Sequence, residues 1–172
     1  MSILFLYAST SGSTRLVIDS LARDHAAIGA QAHDIARLDA PISLAGHDLV
    51  VLATPTYGKG DWHHAWEARG AEMLSGLPVG SRVALLGLGD ARCHGATFAG
   101  GIGQLATLAR TCGATVVGTV PVTGYAYQAS PAVEAGHFPG LVIEYRRHRH
   151  AAVAKAREWL AGLLAPDITV AA

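Results

Sequence analysis

Short, almost unbroken apolar segments alternate along this chain with longer segments whose apolar residues recur at helical spacing. Most of these segments do not alternate with polar residues, so both faces of those predicted strands must be buried; residues 30–35 are more polar and could form a short second strand. Strands that alternate with helices form a parallel sheet, and right-handed crossovers place helices on both of its sides. The pattern therefore predicts an α/β fold, a doubly wound three-layer α/β/α sandwich around a five-stranded parallel sheet. The predicted strands cover residues 3–8, 30–35, 48–53, 83–88 and 115–120, and the predicted helices begin near residue 14 and cover residues 62–75, 98–112 and 148–164.

Length and composition predict one domain over residues 1–172, of which 51% are hydrophobic. No segment approaches the ~18 uninterrupted apolar residues of a membrane span, and the N-terminal segment lacks the basic leader of a signal peptide. We therefore expect a soluble, cytoplasmic protein that does not bind membranes. Thirteen basic residues balance thirteen acidic ones, which gives no electrostatic reason to expect nucleic-acid binding. The basic segment 146–150 is expected to be a solvated helix start.

The loops with unusual chemistry follow three of the predicted strands. Ligands of a doubly wound sheet bind at the carboxyl ends of the strands, where the strand order reverses. That rule selects residues 9–14, 54–62 and 88–96. We expect these three loops to form the functional site.

The first loop is a run of small polar residues that opens the first helix. It consists of Ser9, Thr10, Ser11, Gly12, Ser13 and Thr14. Backbone N–H groups at a helix N-terminus favour an anion, although a simple helix cap needs only one such residue. Ser13 stands where a nucleoside-triphosphatase loop has its lysine. The loop therefore predicts a single phosphate monoester.

A second glycine pattern, GxGxxA over residues 101–106, matches the dinucleotide fingerprint. It lies inside a predicted helix and not directly after a strand, which is the wrong context for that function. We interpret these glycines as helix-packing residues.

Taken together, the three loops resemble the flavodoxin family. The first loop is similar to the family pattern [ST]xTGxT, with Ser11 where threonine is usual. Residues 54–61 (TPTYGKGD) resemble the PTWxxG segment, and residues 86–90 (LGLGD) resemble the FGxGD segment. Residues 124–141 resemble the insertion that interrupts the last strand of long-chain flavodoxins, placed here at about residues 122–145. The resemblance extends from about residue 3 to residue 164.

The resemblance implies a low-potential one-electron carrier that binds FMN non-covalently and is not a stand-alone catalyst. By position, the first loop would hold the phosphate, and Pro55 and Thr56 the ribityl chain. Tyr57 would stack on the ring, and residues 88–90 would meet its pyrimidine edge. The residues expected to bind FMN are Ser9, Thr10, Ser11, Gly12, Ser13, Thr14, Thr54, Pro55, Thr56, Tyr57, Gly58, Lys59, Gly60, Leu88, Gly89, Asp90, Cys93 and His94.

Two departures from the family pattern concern the flavin ring. The tyrosine that usually stacks on the second face falls here on His94. Our hypothesis is that His94 covers the ring and makes its potential pH-dependent; a surface histidine without flavin contact is the alternative. Relatives are acidic around the flavin, whereas this chain has Lys59, Arg92 and the segment 144–147 (EYRR). Added positive charge predicts a second one-electron potential less negative than in acidic relatives.

Partner proteins are also implied by the resemblance. The donor would be a flavodoxin/ferredoxin reductase, and the acceptor a cytochrome P450, a nitrogenase-type enzyme or a radical enzyme. We expect a monomer. A flavodoxin-like NAD(P)H:quinone reductase and a flavin-free phosphate-binding module remain as alternatives. Adjacent histidines such as His63 and His64 do not predict a metal site, because neighbouring helix positions point to different faces.

Overall fold

The computed structural model describes residues 1–165, and the tail 166–172, whose order the sequence does not decide, lies outside the described residues. The strands are β1 (Ile3–Tyr7), β2 (Gln31–Asp34), β3 (Leu49–Pro55), β4 (Arg82–Leu88), β5 (Thr115–Val117), β6 (Val120–Pro121), β7 (His137–Phe138) and β8 (Leu141–Ile143). The helices are α1 (Ser13–Asp24), α2 (His64–Leu74), α3 (Ala91–His94), α4 (Gly100–Thr111) and α5 (Arg149–Leu164), with a 3₁₀ turn at Ala26–Ile28.

The main sheet is parallel, with strand order β2-β1-β3-β4-β5. Its central strands are buried along their whole length: every residue of β1 is buried, and so are the first six residues of β3. Alternate residues of β1 belong to two separate cores, one beneath α1 and α5 and the other beneath α2 and α4. This arrangement confirms the predicted three-layer sandwich. In residues 1–165 no helix is long and apolar enough to span a membrane.

The last strand is split into two pieces. Both β5 and β8 run parallel to β4, β5 beside residues 82–84 and β8 beside residues 86–88. The predicted fifth strand, 115–120, is therefore too long, and the predicted insertion, 122–145, is shifted. The chain leaves the sheet at Gly118, whose φ is +79°, and a Cβ at Gly140 would collide with the carbonyl of Leu85 as the chain returns.

The segment between β5 and β8 packs on the α4 side of the sheet. It contains the antiparallel pair β6–β7. The rings of Phe98 and Tyr127 stack with centroids 5.3 Å apart, and Phe138 meets Phe98 edge-on at 5.9 Å. Arg110 on α4 donates two hydrogen bonds to the carboxylate of Glu134, at 2.7 and 2.9 Å. These contacts hold the insertion beside the third loop.

The glycines of the GxGxxA pattern lie in α4, where they allow close packing. A Cβ at Gly101 would lie 3.0 Å from the carbonyl oxygen of Pro55, and one at Gly103 would lie 2.9 Å from the Cα of Ala132. The interpretation of these residues as packing residues is thus confirmed.

Candidate functional site

The carboxyl ends of β1, β3 and β4 meet at one edge of the sheet and surround an open cleft of about 200 Å³. All three loops selected from the sequence contribute to it, and so does the segment that follows β8. The cleft is lined by Ser11, Ser13, Pro55, Thr56, Tyr57, Leu88, Gly89, Asp90, Cys93, His94, Tyr145 and Arg146.

The first loop leads into the N-terminus of α1, where side chains satisfy at most one backbone N–H group within the described residues. α1 begins at Ser13 after Gly12, which has φ +86°, and the cap position makes no side-chain hydrogen bond within the described residues. One hydroxyl reaches the first turn: Oγ of Ser9 accepts a long, 3.4 Å hydrogen bond from the N–H of Arg15, while the N–H groups of Ser13 and Thr14 have no partner in the described residues. Because the first N–H groups of a helix lack partners inside the helix, this end of the cleft has free donors. Such a cradle fits an anion the size of a phosphate.

The second loop turns tightly after β3. Tyr57 and Asp61 exchange backbone hydrogen bonds of 2.8 and 2.9 Å, with Gly58 between them at φ +49°. The hydroxyl of Thr54 is buried; it accepts from the N–H of His63 at 3.0 Å and donates to the carbonyl of Pro55 at 3.0 Å. The turn leaves Tyr57 at the cleft with 37% of its surface exposed, which suits an aromatic wall for a flat ligand.

The third loop contains α3, a short helix that the sequence analysis treated as loop. Its N-cap is Asp90, whose Oδ1 accepts from the N–H groups of Arg92 and Cys93 at 3.1 and 3.3 Å. Burial acts to raise the pKa of Asp90, but the hydrogen bonds from Cys93 and Arg92, with the charge of Arg147, outweigh it and lower that pKa below its ordinary value. The helix places Cys93 and His94 in the lining of the cleft.

Tyr145 and Arg146 are lining residues that the sequence analysis did not assign to the site. They follow β8 directly, and Glu144 fixes this segment to the third loop by accepting a 3.0 Å hydrogen bond from the N–H of Ala91. Arg147 lies 3.7 Å from the same carboxylate. The departure from an acidic pattern at residues 144–147 was the available signal, but no local pattern indicates that this segment contacts the cleft.

The remaining predicted binding residues lie outside the lining of the cleft. Thr14, Thr54 and Gly60 are buried beneath it, and Gly58 and Lys59 are exposed beside it. Ser9, Thr10 and Gly12 belong to the first loop but are not part of the lining. Contact of each of these residues with a cofactor therefore stays a prediction.

From the sequence, His63 was discussed only in connection with metal binding. In the structure it lies between the first and second loops of the cleft. Its side chain is 2% exposed, and Nε2 lies 2.9 Å from Oγ1 of Thr10 in the first loop. Sequence spacing could not have revealed this contact, because it joins two loops that only the folded sheet brings together.

Comparison with known proteins shows which family and which solved structures the chain is similar to. The family model described as Flavodoxin matches residues 5–159. The chain is 32% identical over 139 residues to the flavodoxin of Helicobacter pylori, covering 80% of this chain and 81% of that protein. It is 28% identical over 163 residues to flavodoxin 1 of Azotobacter vinelandii, covering 91% and 92% of the two chains. The structure of Fusobacterium nucleatum flavodoxin bound to flavin mononucleotide superimposes with a TM-score of 0.82 at 24% identity, covering 94% and 96% of the two chains, and this likeness shows the fold.

Proposed function

Because the chain belongs to the flavodoxin family, we propose that it holds one FMN in the cleft at the carboxyl edge of the sheet and passes single electrons between redox proteins. It is an electron carrier and not a stand-alone catalyst. The single observation that supports the proposal most strongly is that the uncapped N-terminus of α1 and the aromatic Tyr57 belong to the same cleft. FMN supplies reversible one-electron chemistry, and the protein sets its position and potential.

The residues present suit the different parts of this cofactor. The first turn of α1 would bind the phosphate through N–H groups and the hydroxyls of Ser11 and Ser13. Pro55 and Thr56 would contact the ribityl chain. A planar ring gains most from flat side chains against its faces, and Tyr57 and His94 are the aromatic side chains of the three loops that line the cleft.

Main-chain groups at the third loop would meet the polar edge of the ring. Leu88 and Gly89 end β4 at the cleft. Oδ1 of Asp90 accepts from two N–H groups of α3 and would fix the loop. Its direct contact with the ring, which the resemblance implies, stays a prediction. His94 is the proposed second aromatic wall, and its effect on the pH dependence of the potential remains part of this proposal.

The finer assignments concern subclass and partners. We propose that the chain is a long-chain flavodoxin; the separation of the two halves of its last strand by residues 118–140 supports this. We propose a flavodoxin/ferredoxin reductase as donor and a cytochrome P450, nitrogenase-type or radical enzyme as acceptor, with the carrier itself monomeric and cytoplasmic. The exposed residues Arg92, Arg146 and Arg147 beside the cleft favour partners whose docking surface is less basic than usual.

A stepwise reduction of the purified protein, followed by its visible spectrum, tests this function. We expect bound FMN that accepts electrons in two separate one-electron steps. The protein alone should not turn over NADPH and benzoquinone, whereas adding a flavodoxin/ferredoxin reductase should start electron flow from NADPH. Rapid turnover by the protein alone would favour the quinone-reductase alternative, and a protein that neither contains nor takes up FMN would refute the proposal.

A further inference from the structure

His63 joins the first two loops of the cleft from below. It precedes α2, where its Nδ1 accepts a 3.1 Å hydrogen bond from the N–H of Ala65. Its Nε2 lies 2.9 Å from Oγ1 of Thr10, and its own N–H donates to Oγ1 of Thr54 at 3.0 Å. One buried ring thus links the N-terminus of α2 to the loop that precedes α1.

The contact with Ala65 determines which ring nitrogen carries the proton. A backbone N–H can only donate, so Nδ1 must present its lone pair. In a neutral imidazole the proton then resides on Nε2. Burial lowers the pKa of His63, and the neighbouring ring of His64, 4.2 Å away, lowers it further against the opposing effect of Asp34. The ring is therefore neutral at pH 7, and Nε2 donates to Thr10.

This direction of donation decides what Thr10 can do. A hydroxyl that accepts a hydrogen bond from an N–H keeps its own proton for another acceptor. Thr10 is exposed and lies in the loop before the uncapped first turn of α1. We propose that His63 is a positioning residue that holds the hydroxyl of Thr10 as a hydrogen-bond donor to the FMN phosphate, an inference that rests on the proposed function.

The same contacts argue against a metal role for His63. Nδ1 is occupied by the N–H of Ala65, and Nε2 is protonated toward Thr10. In the part of the chain that the structure describes, no group of three or more histidine, cysteine or acidic side chains could hold a metal ion. The histidine therefore acts through hydrogen bonds.

Two substitutions of His63 separate its capping role from its role toward Thr10, and a third substitution changes Thr10 itself. His63→Asn keeps an acceptor for α2, since asparagine is a good N-cap, but its shorter side chain does not reach Thr10. His63→Gln keeps an amide donor at about the reach of Nε2 but is a poorer cap. Thr10→Val removes the hydroxyl with little change in shape. Dissociation constants of FMN and of riboflavin, which lacks the phosphate, are measured by flavin fluorescence on the flavin-free full chain, with melting temperatures in parallel.

We expect His63→Asn and Thr10→Val each to weaken FMN binding by about tenfold or somewhat more, the lower end of the value of one hydrogen bond to a charged group, with riboflavin binding unchanged. The double variant should lose no more than either single one, because both remove the same contact. His63→Gln should melt at a lower temperature and keep most of the preference for FMN.

Equal weakening of FMN and riboflavin by His63→Asn, or losses that multiply in the double variant, would overturn the inference while leaving FMN binding intact. A wild-type chain that binds neither flavin would instead refute the proposed function and the inference with it. If His63→Asn does not fold, the test rests on His63→Gln and Thr10→Val: an FMN preference that falls as far in the first as in the second would contradict the role of the Nε2 donor.

Discussion

The two ends of the cleft are built from different chemistry. The end proposed to hold the phosphate, at residues 9–14 (the phosphate end), consists of hydroxyls and backbone N–H groups, with the buried His63 behind them and no ionised side chain in the loop itself. The end proposed to hold the ring, at residues 88–94 and 145–146 (the ring end), has Asp90 and Arg146 in its lining. Neutral donors that are held rigidly bind an anion without attracting competing carboxylates, whereas charges near a redox-active ring shift its potential.

This difference separates two properties of the protein. Affinity for the cofactor should depend mainly on the phosphate end, and the redox potential mainly on the ring end. The first property needs fixed geometry, which buried hydrogen bonds provide. The second needs only charge at a moderate distance, which exposed side chains provide without disturbing the fold.

The largest effect should come from placing a negative charge at the phosphate end. Ser13→Asp puts a carboxylate at the start of α1, and we expect FMN to bind at least about 100-fold more weakly, because a charge-assisted hydrogen bond is replaced by repulsion. The flavin-free protein should remain folded, since an acidic residue favours a helix N-terminus. Fluorescence titration with FMN measures the effect.

Ser13→Asn is the matched control for size without charge, and it should retain most of the affinity. Similar dissociation constants for the two variants would mean that the phosphate does not bind at this end.

An intermediate effect is expected from Asp90, which lies at the ring end and stabilises the fold as the N-cap of α3. Asp90→Ala removes the N-cap of α3 and should lower the free energy of unfolding by about 1 kcal/mol, whereas Asp90→Asn should preserve the cap. Because the folded pKa of Asp90 is depressed, its stabilisation is present above the ordinary value of about 3.9 and is lost as the pH falls through the lower folded pKa. Urea denaturation of the three proteins at pH 7 and at acidic pH provides the measurement.

The wild-type advantage over Asp90→Ala should shrink on acidification. An advantage that is the same at every pH would show that the carboxylate charge does not contribute to the cap.

The smallest free-energy change should come from Arg146. Taking about 10 Å to the ring and an effective dielectric constant of about 40, removing one positive charge is worth roughly 0.8 kcal/mol, or about 35 mV for one electron. Arg146→Gln should therefore make the second one-electron potential more negative by that amount and leave FMN affinity nearly unchanged, because the oxidised ring carries no charge. Equilibrium with a dye of known potential gives the value.

Arg82, at the opposite end of β4, is exposed and donates to the carbonyl of Leu163. Arg82→Gln is therefore the control and should not shift the potential. Equal shifts in both variants would mean that net charge, and not position at the cleft, determines the effect.

Much of the fold follows from the sequence because its strands are buried on both faces and are therefore continuous in apolar residues. The first, third and fourth strands begin and end within two residues of the prediction. The short β2 also lies within one residue of the predicted strand 30–35. Two other short elements, α3 and β8, were not predicted. A helix of four residues such as α3 has no measurable periodicity, and the three apolar residues of β8 were assigned to the insertion.

The site was predictable where backbone geometry defines it and unpredictable where tertiary contacts do. Glycine and small hydroxyl residues identified the three loops, since tight turns and helix N-termini require them. Tyr145 and Arg146 reach the cleft only because β8 returns to β4. The pairing of His63 with Thr10 depends on the relative positions of two loops, which no local pattern encodes.

The split of the last strand also sets the order in which the cleft can be completed during synthesis. The residues beside Leu86–Leu88 come from β8, so a nascent chain that ends before Leu141 leaves that stretch of β4 without its outer neighbour. Such a chain also lacks Glu144, the acceptor for the N–H of Ala91 at the start of α3. Full enclosure of a cofactor therefore requires that synthesis has passed Arg146, well after the three loops themselves have been made.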